Sequence, residues 1–225
     1  INKKKYNFSL LLYFILNLVK VDFKRDNYVW MSEKKNKKII IFASGDGTNA
    51  EQIIKYFKKN KSINVQYILT NKHDAGVLER AKKHEIPAFF YNNEAFEKKI
   101  VFELLISVNP DLIVLAGFIR KIADIIISKF PNKIINIHPA LLPSHGGKGM
   151  YGSEVHKSVI RSNDSTTGIT IHFVNSDYDK GKIILQKSIK VDSKDTPNSL
   201  SKRVQKLEHK YYPLVIEKLL NEQSR

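Results

Sequence analysis

From Lys38 onward, short unbroken apolar runs alternate with segments whose apolar residues recur at helical spacing, and this alternation restricts the possible folds more than any other feature. Ile39-Ile40-Ile41-Phe42 has no polar break, as a strand buried on both faces requires. After Ser44-Gly45-Asp46-Gly47-Thr48-Asn49 come Ala50, Ile53, Ile54 and Phe57, whose i, i+3, i+4, i+7 spacing marks one helix face. The same reading predicts strands over Val65–Leu69, Ala88–Tyr91, Leu112–Leu115 and Ile134–Ile137. It predicts helices from a cap at Asp74 to about His84, over Glu94–Val108 and over Ile122–Phe130. Strands separated by helices imply an α/β fold with a doubly wound, mostly parallel sheet covered on both faces. After Pro143 the style changes. A Gly-rich loop, Gly146–Gly152, leads to a helix over Glu154–Ile160, then to strands over Ile169–Val174 and Lys182–Val191, close enough to pair as an antiparallel addition. A helix from about Ser199 to Leu220 closes the chain.

A length of 225 residues without internal repeats fits one compact domain. The first thirty residues differ in style from the rest. Leu10–Val19 is apolar apart from Asn17 and follows Lys3–Lys5, but Lys20, Asp22, Lys24 and Arg25 stand where a signal peptide has its small-residue cleavage site. The run is also shorter than the ~20 apolar residues of a membrane helix. With the first Met at Met31, residues 1–30 are expected to be a non-native or disordered extension and residues 31–225 a single domain. No cysteine is present, so disulfides and thiolate metal sites are ruled out, which suits a cytoplasmic location. The formal net charge of +16 raises nucleic-acid binding as a reading. Because Lys, Ile and Asn are abundant throughout, the charge reads instead as solvated surface that steers anionic small molecules inward; neither nucleic acid nor membrane is an expected partner.

Two segments carry chemistry. Gly45-x-Gly47-x-x-Ala50 lies between a strand and a helix, where glycines let the backbone approach a phosphate and the helix N-terminus offers free N–H groups. A dinucleotide site would add an acidic residue about 20 positions on, at the end of the second strand. That strand ends in Thr70-Asn71-Lys72, so a single terminal phosphate fits better; a tight turn without ligand is the bland alternative. In Asn136-Ile137-His138-Pro139-Ala140-Leu141-Leu142-Pro143, Asn136 and His138 share one strand face. They sit at a strand's carboxyl end, where open α/β sheets bind ligands. An amide donor beside an imidazole is suited to stabilising a tetrahedral oxyanion. Asp177 and Asp179, in the loop between the last two strands, are the carboxylates that could orient or charge the histidine. His172, His145 and His156 are weaker candidates.

The stretches 44–49, Leu115-Ala116-Gly117-Phe118-Ile119-Arg120, 136–143 and His172-Phe173-Val174 with Asp179 resemble, in order, the phosphoribosylglycinamide formyltransferase family. The likeness runs from about Lys37 to Leu220, and the Gly146–Gly152 loop is similar to a branch of that family found in some bacteria and plants. The resemblance implies a Rossmann-like formyltransferase fold and transfer of the formyl group of 10-formyltetrahydrofolate, as co-substrate, to the amine of glycinamide ribonucleotide in purine biosynthesis. It implies that Asn136 and His138 stabilise the oxyanion while Asp179 raises the basicity of the histidine and helps relay the proton. Gly47, Thr48 and Asn49 would hold the phosphate and Glu208 the ribose hydroxyls. Ile119, Arg120, Lys121, Ile122, Asn136, Val174 and Asn175 would meet the folate, with Lys99 standing where the family has an arginine near the folate tail. No metal is implied, and the oligomeric state would be monomer or homodimer. Methionyl-tRNA formyltransferase and formyltetrahydrofolate hydrolase share the Asn-x-His-Pro centre but carry an additional tRNA-binding or regulatory domain, for which the sequence offers no counterpart. A non-catalytic phosphate-binding module is a further alternative, against which the joint presence of Asn136, His138 and Asp179 argues.

Overall fold

The computed structural model describes residues 36–97 and 99–222; the expected extension over residues 1–30 lies outside them. One sheet organises this region, with strands β1 (Lys37–Phe42), β2 (Ile63–Thr70), β3 (Ala88–Phe90), β4 (Leu112–Leu115), β5 (Ile134–His138), β6 (Thr166–Phe173) and β7 (Ile183–Lys190) in the order β3-β2-β1-β4-β5-β6-β7. The first five strands pair in parallel, whereas β6 and β7 join antiparallel. Alternation along β1 divides the core. Ile39 and Ile41 face the side covered by α1 (Thr48–Phe57) and the long C-terminal α7 (Pro197–Glu222). Ile40 and Phe42 face the side where Val101 and Leu105 of α4 (Ile100–Val108) and Ile126 of α5 (Asp124–Lys129) pack. Ile39 to Phe42 are fully buried, which explains why the run lacks polar residues.

The predicted order of elements is observed, with two local differences. The helix predicted to start at a cap at Asp74 starts later, as α2 (Val77–Lys83), behind Gly76. The helix predicted over Glu94–Val108 is two helices, α3 (Asn93–Glu97) and α4, divided at Lys99, whose φ of 59° ends the helical run. Phe96 stacks on Tyr91 while Val101 packs beneath the sheet. Residues five apart lie on different faces of a continuous helix, and the break brings both inward. Between β5 and β6 runs α6 (Ser153–Arg161).

One side chain anchors α7 where β4 ends. The Tyr212 side chain is fully buried, and its hydroxyl lies 2.9 Å from the carbonyl of Leu115 and 3.3 Å from that of Ile135. Glu208, one turn earlier, therefore meets the N-terminus of α1, where Asn49 Nδ2 donates to its carboxylate at 2.8 Å.

Candidate active site

A cavity of about 1140 Å³ opens at the carboxyl ends of β1, β4 and β5, the end at which open α/β sheets bind ligands. It exceeds the ~300–1,000 Å³ typical of a site for one drug-sized ligand, so two substrates can share it. The glycine loop, Gly45–Asn49, forms one wall and Glu208 part of another. Ile119, Arg120, Lys121 and Ile122 follow β4, Asn136 and His138 end β5, and Val174, Asn175 and Asp179 close the far side. Lys99 is exposed and is absent from the lining. Arg120 is among the lining residues; its guanidinium lies 4.2 Å from the Phe96 ring centroid and donates to Asn93.

His138 is 3% exposed. Its Nε2–H donates to the carbonyl of His145 at 2.8 Å, which fixes the tautomer and leaves Nδ1 facing Asp179 Oδ2 at 3.6 Å. Burial pulls the imidazole below its ordinary pKa, and the Asp179 carboxylate opposes this without cancelling it, so the ring is neutral near pH 7. Burial alone would raise the Asp179 carboxyl; His172, His138 and a 2.9 Å hydrogen bond from Gly147 N–H outweigh it and hold the group below its ordinary range. The resulting pair is a neutral base beside a fixed anion.

Asn136 is oriented from the neighbouring strand. The antiparallel register sets it opposite His172, and its Nδ2 donates to His172 Nε2 at 3.2 Å, while His172 Nδ1–H donates to the Phe173 carbonyl. An amide nitrogen carries two hydrogens, so the second remains for a ligand. In the sequence His172 is only a weaker candidate, because the pairing of β5 with β6 lies outside the reach of local patterning. Gln205 was missed altogether: its Nε2 donates to Thr48 Oγ1 at 3.0 Å. Its position three residues before Glu208 on one helix face was the available signal. His156 lines the cavity too, but burial drives its pKa down to about 4, so it brings no positive charge there.

Residues 37–216 match the family described as formyl transferase. Over 195 residues the chain is 38% identical to the phosphoribosylglycinamide formyltransferase of Bacillus subtilis, with 84% of this chain and 97% of that protein covered. This chain belongs to the phosphoribosylglycinamide formyltransferase family. A chloroplastic phosphoribosylglycinamide formyltransferase of Arabidopsis thaliana is 38% identical over 201 residues, covering 86% of this chain and 68% of that protein. Among solved structures, the phosphoribosylglycinamide formyltransferase of Bacillus halodurans is similar, with a TM-score of 0.73 at 38% identity over 82% of this chain and 95% of that one. Membership of this family agrees with the seven-stranded mixed sheet and favours formyl transfer over the alternative readings. Among the described residues no helix is long and apolar enough to cross a membrane.

Glu208 supplies a pH-dependent prediction. Burial pushes its carboxyl up to about 7, with Asn49 Nδ2 only partly opposing. Between the ordinary carboxylate range and that value, the unfolded chain gives up a proton that the folded chain keeps. Stability therefore falls as pH rises through this window and is level above it. Glu208→Gln removes the effect. The melting temperature of the variant is expected to exceed that of the parent by several degrees at pH 8 and to match it closely at pH 5, as thermal denaturation at the two pH values will show.

Proposed function

We infer that the chain transfers the formyl group of 10-formyltetrahydrofolate to the amine of glycinamide ribonucleotide. The observation that carries the reading is the juxtaposition, in one cavity large enough for two substrates, of a loop suited to phosphate with an Asn136–His138–Asp179 centre suited to acyl transfer. The ribonucleotide phosphate is assigned to Gly47, Thr48 and Asn49. Beside them the Glu208 carboxylate, held by Asn49 Nδ2, is an acceptor matched to the hydroxyl donors of a ribose. The folate is assigned to the wall formed by Ile119–Ile122, Val174 and Asn175, which line the same cavity as Asn136 and His138.

In this assignment the amine nitrogen attacks the formyl carbon, a C–N bond forms, and the formyl oxygen becomes an oxyanion that takes the free hydrogen of Asn136 Nδ2. His138 Nδ1 accepts the proton shed by the amine, and the ion pair it then makes with Asp179 stabilises the imidazolium. The same proton goes to N10 of the folate as its bond to the formyl carbon breaks, releasing tetrahydrofolate and the formylated ribonucleotide. His138 thus acts as base and then as acid, and the carboxylate stays ionised throughout. Its Nε2–H bond to His145 keeps the ring from rotating between the two steps.

The test is an absorbance assay of tetrahydrofolate formation with 10-formyltetrahydrofolate and either glycinamide ribonucleotide or water as acceptor. Turnover that depends on the ribonucleotide is expected. Equal turnover with water alone would favour a hydrolase, and turnover only with charged methionyl-tRNA a tRNA formyltransferase.

A further inference from the structure

The glycine loop is shaped by an element that makes no part of the cavity wall. We propose that Arg80, on α2, is a positioning residue for the phosphate loop, fixing the Asp46–Gly47 peptide plane whose N–H group meets the ribonucleotide phosphate. The assignment rests on the formyl-transfer reading above. Three consecutive carbonyls of the loop are engaged by protein donors: Val77 N–H donates to Gly45 at 3.2 Å, Arg80 Nε–H to Asp46 at 2.6 Å and Glu51 N–H to Gly47 at 2.9 Å. These peptides are trans, so each carbonyl points opposite to the N–H of the next residue. Tethering these carbonyls to α2 and to the first turn of α1 turns the N–H groups of Asp46, Gly47 and Thr48 away from those contacts, and all three residues line the cavity. Among the described residues no protein acceptor takes these N–H groups. Successive N–H groups on one side of a turn make a concave site for an anion.

Arg80 has a second contact. Its Nη1 pairs with Glu51, whose carboxylate is 7% exposed and stands in the first turn of α1. His84 most of all, then Lys55 and Arg80, hold that carboxyl down to about 2 against the effect of burial, so it is fully ionised. An ionised carboxylate one turn from a bound phosphate would repel it, and the surrounding cations offset that charge. The planar guanidinium fork spans the Asp46 carbonyl and the Glu51 carboxylate at once, which a lysine ammonium on its flexible stem does not reproduce.

The experiment compares Arg80→Gln and Arg80→Lys with the parent enzyme in steady-state kinetics for each substrate, and in calorimetric titration with inorganic phosphate. Arg80→Gln is expected to raise the KM for the ribonucleotide and the Kd for inorganic phosphate by about tenfold or more, the scale of a lost charge-assisted hydrogen bond. Its folate KM and kcat are expected to stay within about twofold. Arg80→Lys, which keeps the charge against Glu51, is expected to show a smaller rise of the same kind, and it carries the test if Arg80→Gln does not fold. Unchanged ribonucleotide KM and phosphate affinity in a folded variant would overturn the proposal, as would an equal rise in both substrate KM values or a parent enzyme that binds no phosphate. A parent enzyme that binds phosphate but shows no ribonucleotide-dependent turnover would instead overturn the formyl-transfer reading, and the phosphate titration would still decide the role of Arg80.

Discussion

His138→Ala is expected to lower kcat by a factor on the order of 10²–10⁴, the usual loss when a general acid–base group is removed, with both substrate KM values little changed. Asn136→Ala removes one oxyanion donor and is expected to cost ~10²–10³ in kcat. Asp179→Asn also deprives the imidazolium of its counter-charge. Because these side chains act on one proton and one oxyanion, the double variant His138→Ala/Asp179→Asn should be little worse than the poorer single variant, far from the product of the two losses. The pH profile gives an independent check. The reaction needs neutral His138, so kcat/KM should rise with pH through a pKa below the ordinary histidine value, and Asp179→Asn should move that limb lower still by removing the group that opposes burial. Asp177→Asn is the control, since Asp177 is exposed and pairs with Lys180 at 3.7 Å. Near-normal turnover in His138→Ala would refute the mechanism.

The second large effect is expected from the loop itself. Gly47 has φ of 73°, and an added Cβ would stand 2.5 Å from both Cβ and Cγ2 of Val77 and 2.8 Å from its Cα. Gly47→Ala thus imposes a strained backbone conformation together with an overlap that only a shift of α2 can relieve, at a cost of ~1–3 kcal/mol. We expect a melting temperature lower by several degrees, a ribonucleotide KM raised tenfold or more and a folate KM nearly unaltered. Gly45→Ala is the contrast: no atom lies within 4 Å of an added Cβ, so it should leave stability unchanged. Parent-like stability and KM in Gly47→Ala would mean that the loop is not held as described.

Much of this architecture is written in short-range patterns. The β1 run is uninterrupted because both faces of a central strand are covered, and the Ala50–Phe57 spacing is helical because one face of α1 meets the sheet. Asn136 and His138 were legible as a pair because strand alternation sets residues two apart on one face. The division of the Glu94–Val108 segment was not legible, since the left-handed turn at Lys99 answers to where Tyr91 and the sheet lie, not to the propensity of its own residues.

The sequence by itself determined the order of strands and helices, the glycine loop and the Asn-x-His-Pro strand end, because each depends on a repeat of two or 3.6 residues or on backbone freedom at one position. Only the tertiary structure decided which side chains complete the site. Asp179 reaches His138 because the loop before β7 folds back over β5. His172 reaches Asn136 through antiparallel pairing across 36 residues, Glu208 reaches Asn49 across 159, and Arg80 reaches Asp46 across 34. Contacts at such separations follow from how strands pair and helices dock on a shared core, and local periodicity holds no record of that pairing.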